Sequence, residues 1–284
     1  MNADWTLAPE SPDARQFELA IRRLADALAY GQDSSPFLGA GIEYVQSRPY
    51  QPGDPVRFID WRMTGRTGRY HVKEYEAPKQ MPVYLLVDTS ASMTVSSVTM
   101  SKYAWAVQIA GGLALAAVEH MSPAGVMGVG ERELHQTPSL SRGVVLRWLH
   151  ALRRYDFHER TTLGERVRKL VPRVESRCLF IVISDLHDPD ALPAIRLMAQ
   201  NHDCMVIRLA DPAEQGGLRA GIFRGEEAES GVGFVAGGRT RFLPDDIGAD
   251  FARSGIDYLF LRTDGLVLQP LRHFLKNRRT RKTA

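Results

Sequence analysis

Two stretches of this sequence, Val83–Val87 and Cys178–Ile183, are almost wholly apolar and end at once in polar groups, Asp88 in the first case and Ser184-Asp185 in the second. A strand with apolar side chains pointing both ways needs cover on both faces, which is the setting of a parallel strand between helical layers. A third such run, Cys204–Leu209, ends before Asp211-Pro212. Helical periodicities lie between these runs: about Thr99 to His120, Ser141 to Tyr155, Leu163 to Val171 and Asp190 to Asn201. Two further strands are expected at Gly125 to Val129 and Glu133 to Gln136. Alternation of this kind predicts βαβ units, hence an α/β fold with a Rossmann-like, mainly parallel sheet flanked by helices.

The remaining segments fit around that core. Ala14 to Tyr30 carries Phe17, Leu19, Ile21, Leu24 and Leu28 at helical spacing, with Gly31 as a stop. Ser34 to Pro82 is rich in glycine, proline, aromatics and arginine and reads as a non-helical, partly β apron. Gly221 to Phe242 reads as a hairpin, followed by a helix at Asp245 to Ser254, a strand at Tyr258 to Leu261 and a helix at Leu266 to Lys276. The expected division is 1–80 for the N-terminal helix and apron, 81–277 for the main domain and 278–284 for a solvated basic tail.

Composition narrows the function classes. With 44% hydrophobic and 24% charged residues the chain is an ordinary globular protein. A net charge of +3 without a concentrated basic and aromatic face does not point to nucleic acid. No window approaches the roughly 18 apolar residues of a membrane span and the N-terminus has no signal pattern, so a cytoplasmic protein without an integral membrane segment is expected. The two cysteines, Cys178 and Cys204, open apolar runs and are expected to be buried core thiols.

The chemistry concentrates at the strand ends. Open α/β sheets bind their ligands beyond the carboxyl ends of their strands. There, Asp88-Thr-Ser90-Ala-Ser92 offers a carboxylate and two hydroxyls on one tight loop, hard oxygen donors of the kind Mg²⁺ or Mn²⁺ takes. Asp185 stands in the same relation to the second apolar run. Thr161 or Thr162 can complete the set. Thr161 is assigned to the metal, because Thr162-Leu-Gly-Glu165 has the form of a capping box in which Thr162 caps the following helix. The expected ligands are therefore Asp88, Ser90, Ser92, Thr161 and Asp185. A serine-rich turn after a strand is by itself more often a helix entry, and the Thr and Asp at corresponding strand ends tip the reading to a metal loop.

This pattern resembles the metal-ion-dependent adhesion site (MIDAS) of von Willebrand factor A domains, whose element order matches residues 81 to 277. A second resemblance rests on Gly39-Ala-Gly-Ile-Glu43, Arg48-Pro-Tyr-Gln-Pro-Gly-Asp54, Arg57-Phe-Ile-Asp60-Trp61, Val72-Lys-Glu-Tyr75 and Asp88-Thr-Ser-Ala-Ser-Met93, with Ser184-Asp185-Leu186 and Asp211-Pro-Ala-Glu214 later. These resemble the bacterial family called domain of unknown function 58 (DUF58) over roughly residues 37 to 236. Thr64-Gly65-Arg66 departs from it where alanine is usual before the arginine, and many relatives carry N-terminal membrane helices. The family is von Willebrand factor A-like and commonly encoded beside MoxR-type AAA+ ATPases. The resemblance thus implies an adaptor or chaperone-like partner of such an ATPase.

The expected function is a metal-dependent protein-binding module that takes a partner's carboxylate, and not an enzyme. The alternative is a metal-dependent phosphohydrolase using Asp88. A haloacid dehalogenase-like site would want a second acid two residues on, where this chain has Ser90, and no phosphate-binding G-x-x-x-x-G-K-[ST] loop occurs. In the apron, Arg48, Asp54, Arg57, Asp60 and Arg66 read equally as a partner surface or as an internal network packed against Trp61. His187 and Asp188 read as incidental loop residues.

Overall fold

The computed structural model describes residues 14–29, 43–76, 81–154, 159–215, 222–226, 233–237 and 247–282. In chain order the elements are α1 (Ala14–Ala29), β1 (Glu43–Pro49), α2 (Trp61–Thr67), β2 (His71–Glu76), β3 (Val83–Val87), α3 (Lys102–Glu119), β4 (Ala124–Gly128), β5 (His135–Ser139), α4 (Arg142–Leu152), α5 (Leu163–Leu170), β6 (Leu179–Ser184), α6 (Ala191–Ala199), β7 (Asp203–Ala210), β8 (Ile222–Glu226), β9 (Gly233–Gly237), α7 (Ile247–Arg253), β10 (Asp257–Arg262) and α8 (Leu268–Lys282). Short 3₁₀ turns include Ala91–Thr94 and Pro212–Gln215.

Six strands form the central sheet in the order β10-β7-β6-β3-β4-β5. All neighbours are parallel except β5, which runs antiparallel to β4 at the edge. This is the mainly parallel, helix-flanked α/β sheet expected from the apolar runs, and it is consistent with a von Willebrand factor A-like fold. Every residue of β3 and β6 is buried. Alternate residues feed two cores. Val83, Leu85, Ile181 and Ile207 face α1, α3, α4 and α8, while Leu86, Phe180, Val182 and Val206 face α5, α6 and α7.

The helix α1 lies in the first of these layers, where Phe17, Ile21, Ala25 and Leu28 are buried against α3. Closeness is possible because α3 has Gly111-Gly112 at the contact; a Cβ at Gly112 would stand 2.6 Å from Leu24 Cγ. The two cysteines are buried free thiols, as expected.

The structure departs from the sequence reading in three places. The apron contains a helix, α2, begun by Asp60, whose carboxylate accepts from the backbone N–H groups of Arg62 and Met63, and ended at Gly68 with φ 69°. Trp61, which one of the two readings of the apron packs against the Arg/Asp pairs, is 65% exposed. The acids have other work: Asp54 takes a two-point bond from Arg48, at 2.8 Å each, and Asp60 also accepts from Ser47. Finally, Arg278, expected to open a solvated tail, lies within α8 and is 4% exposed, because it pairs with Asp203 at 2.6 Å and Asp257 at 2.7 Å.

Candidate metal centre

The strand order reverses between β3 and β6: from β3 the chain goes on to β4, whereas β6 leads outward to β7 and β10. Ligands of open α/β sheets gather at this switch point, beyond the carboxyl ends of the two strands. Asp88 follows β3 and Asp185 follows β6, and the parallel pairing of Val87 with Ile183 sets the two acids side by side.

Hydrogen bonds tie four of the expected ligands into one knot. Ser184 Oγ donates to Asp88 Oδ2 at 2.5 Å, and the Ser90 amide donates to Asp88 Oδ1 at 3.0 Å. The Ser90 and Ser92 hydroxyls are 3.1 Å apart, and Ser92 Oγ donates to Asp185 Oδ2 at 2.9 Å. Asp88, Ser90 and Asp185 are buried; Ser92 is half-buried and leads toward solvent. At 1% exposure Asp88 belongs to the floor of the site. Just past Asp185, Leu186 has φ 63° and is 1% exposed, a strained backbone of the kind that clusters at functional sites.

Thr161 comes in from a separate segment. Glu159 accepts from the Ala91 amide at 2.7 Å, and Thr161 bridges Gly130 at the exit of β4, so residues 159–162 run beside the Asp88–Ser92 loop. A side chain at Gly130 would collide with Glu159 and Thr89, whose hydroxyl donates to Glu159 at 2.7 Å. Thr161 is half-buried at this rim. The capping role expected of Thr162 is corrected. Its hydroxyl donates to the carbonyls of Val129 and Gly130, at 3.2 and 2.7 Å, and Glu165 pairs with Lys169 instead of closing a capping box. The open amide of Gly164 is met by Asp188 Oδ2 at 2.8 Å, which gives that acid a structural use.

The residues that sequence reasoning missed are Lys102 and Glu214. Lys102 Nζ donates to Asp185 Oδ2 at 2.7 Å and also contacts Glu214 Oε1, and its side chain is 0% exposed. A signal existed. Lysine is the first residue of a mostly apolar helix, where the helix dipole disfavours a cation, so something acidic had to meet it. His187, judged incidental, has Nδ1 3.4 Å from Asp185 Oδ2 and its amide 3.3 Å from Oδ1.

The two carboxyl groups are pushed apart electrostatically. Burial, together with the neighbouring Asp185 charge, raises Asp88 to about 7 against the bonds from Ser184 and Ser90. Burial also opposes ionisation of Asp185, but Lys102, helped by His187 and Ser92, outweighs it and holds that group down at about 2. Among the described residues Asp88 is bonded to neutral donors alone, so its charge is the one left to be balanced.

Residues 46–244 match the family model described as "Protein of unknown function DUF58". The chain belongs to the DUF58 family. Uncharacterized proteins of Mycobacterium tuberculosis and Mycobacterium bovis are 27% identical to it over 281 residues, covering 93% of this chain and 88% of theirs. A crystal structure titled as an uncharacterized membrane spanning protein from Vibrio fischeri aligns over 70% of this DUF58 chain and 98% of its own, at 13% identity and a TM-score of 0.21. In the present DUF58 protein no helix among the described residues is long and apolar enough to cross a membrane.

Proposed function

We propose that this chain is a metal-dependent protein-binding module of the MIDAS type, without turnover, acting in the cytoplasm as an adaptor of a MoxR-type AAA+ ATPase. The observation that carries the reading is the hydrogen-bonded set of Asp88, Ser90, Ser92 and Asp185 at the switch point, with Asp88 unbalanced by any cation among its bonded neighbours. All four side chains offer oxygen, the donor type that suits Mg²⁺ or Mn²⁺. Those residues, with Thr161 from the rim, would hold the ion, and the ion when bound would give a partner's Asp or Glu carboxylate a Lewis-acidic position to occupy. Ser92, Thr161, His187 and Glu214 are half-buried. The ATPase partner follows from the family resemblance.

The reading is tested by measuring binding of a MoxR-type ATPase to wild type and Asp88→Asn, with Mg²⁺ and with a chelator. Binding should need Mg²⁺ and fall at least tenfold in the variant, since a neutral amide takes the place of the charged ligand. Undiminished binding in Asp88→Asn would contradict a metal-gated contact.

A further inference from the structure

Beside the Asp88 loop lies a second set of cation ligands. One carboxylate oxygen each from Asp185 and Glu214 and a ring nitrogen of His187 lie within 4.8 Å of one another, a two-carboxylate, one-imidazole arrangement that suits a divalent transition metal. The set already holds a cation: the Lys102 ammonium bonds both carboxylates. A lysine with no exposed side-chain surface, at the first position of a helix, is there at a cost in both desolvation and helix dipole, which only close acidic partners offset. Charge points the same way. Asp88, Asp185 and Glu214, ionised, set three negative charges against the one of Lys102, and the two left over equal the charge of a single divalent ion.

We propose that Lys102 is a built-in cation filling the second of two cation positions, so that the centre takes one divalent ion, on the Asp88 side, where it would otherwise take two. The first position rests on the metal-binding reading above, whereas the second rests on Lys102, Asp185, His187 and Glu214 alone. Lys102→Met removes the ammonium and keeps an unbranched side chain of similar length. Asp185 and Glu214 are then left facing each other without the ammonium between them, and a divalent ion can take the vacated place with His187 as third ligand.

The experiment is calorimetric titration of Mn²⁺ into metal-stripped wild type and Lys102→Met, with electron paramagnetic resonance of the loaded protein. Lys102→Met should bind one more Mn²⁺ per chain than wild type, and His187→Ala in that background should weaken the added site at least tenfold. A change from one ion to two, with the broadened signal of two neighbouring Mn²⁺ ions, supports both positions. A change from none to one supports the role of Lys102 and overturns the Asp88 site. Equal stoichiometry in the two proteins overturns the proposal. Lys102→Gln, which keeps a hydrogen-bond donor and removes only the charge, is measured in parallel. Failure of both variants to fold even with Mn²⁺ present also counts against it, because the ion should replace the lysine's charge.

Discussion

Arg278→Met is expected to destabilise the protein by about 3–5 kcal/mol, the usual cost of removing one partner from a buried ion pair. The guanidinium ties the C-terminal helix to the two parallel strands at one edge of the sheet, through Asp203 at the start of β7 and Asp257 at the start of β10. The side chains of Arg278 and Asp203 are 2% and 3% exposed, so truncation strands two acids of which one has almost no access to water. Removing all three charges together should cost much less than removing the arginine alone, because the acids' uncompensated charge, more than the lost attraction, causes the damage. Urea denaturation of Arg278→Met and of the triple variant Arg278→Met/Asp203→Asn/Asp257→Asn measures both. A loss below about 1 kcal/mol in the single variant would mean that the tail end of α8 contributes little to the fold.

The metal-free protein should lose stability as pH rises from about 4 to about 7. Asp88 titrates near 7 when folded against 3.8 as its ordinary value, so between those limits the folded state binds a proton that the unfolded state has released. Stability then falls with pH, by up to about 1.4 kcal/mol per unit inside the window, and levels off above it. Asp185 acts in the opposite direction at lower pH: its folded pKa of about 2 lies below its ordinary 3.8, so its contribution is present above pH 4 and is lost on acidification. The groups facing Asp88 are Asp185, Ser184 and Ser90, with Lys102 and His187 reaching it through Asp185. Saturating Mg²⁺ should remove the decline, since the ion replaces the proton and stabilises most where Asp88 is ionised. In Asp88→Asn the decline should be absent with or without metal. Denaturation curves at pH 4.5, about 6 and about 8 read this directly, and a wild-type stability that stays level or rises across the window contradicts the assignment.

The sheet was legible because its signal is local. Five or six consecutive apolar residues in β3 and β6 demand cover on both faces, and the acid at each end marks the ligand side of the sheet. Asp88 and Asp185 could be paired on that argument alone, 97 positions apart, because parallel strands at a switch point bring equivalent ends together. Lys102 and Glu214 were not legible in the same way. They meet across 112 residues through the 3₁₀ turn after β7, whose path no periodicity encodes. Arg278 was misplaced for a related reason, since a run of basic residues looks solvated until the fold delivers Asp203 and Asp257 to it. The helix α2 escaped notice because Gly65 and its short length hide the pattern, and Asp60 was read with the Arg/Asp pairs of the apron and not as the cap it is. At Thr162 the capping-box spacing was present, yet the Val129 and Gly130 carbonyls at the exit of β4 accept the hydroxyl instead.

The central claim is that the Asp88 loop binds a divalent ion. Calorimetric titration of Mg²⁺ and Mn²⁺ into metal-stripped wild type and Asp88→Asn at pH above 7 tests it most directly. The account predicts saturable binding to wild type and at least a tenfold loss in the variant with its fold retained. Equal binding by the two proteins, or no binding by wild type, would contradict it.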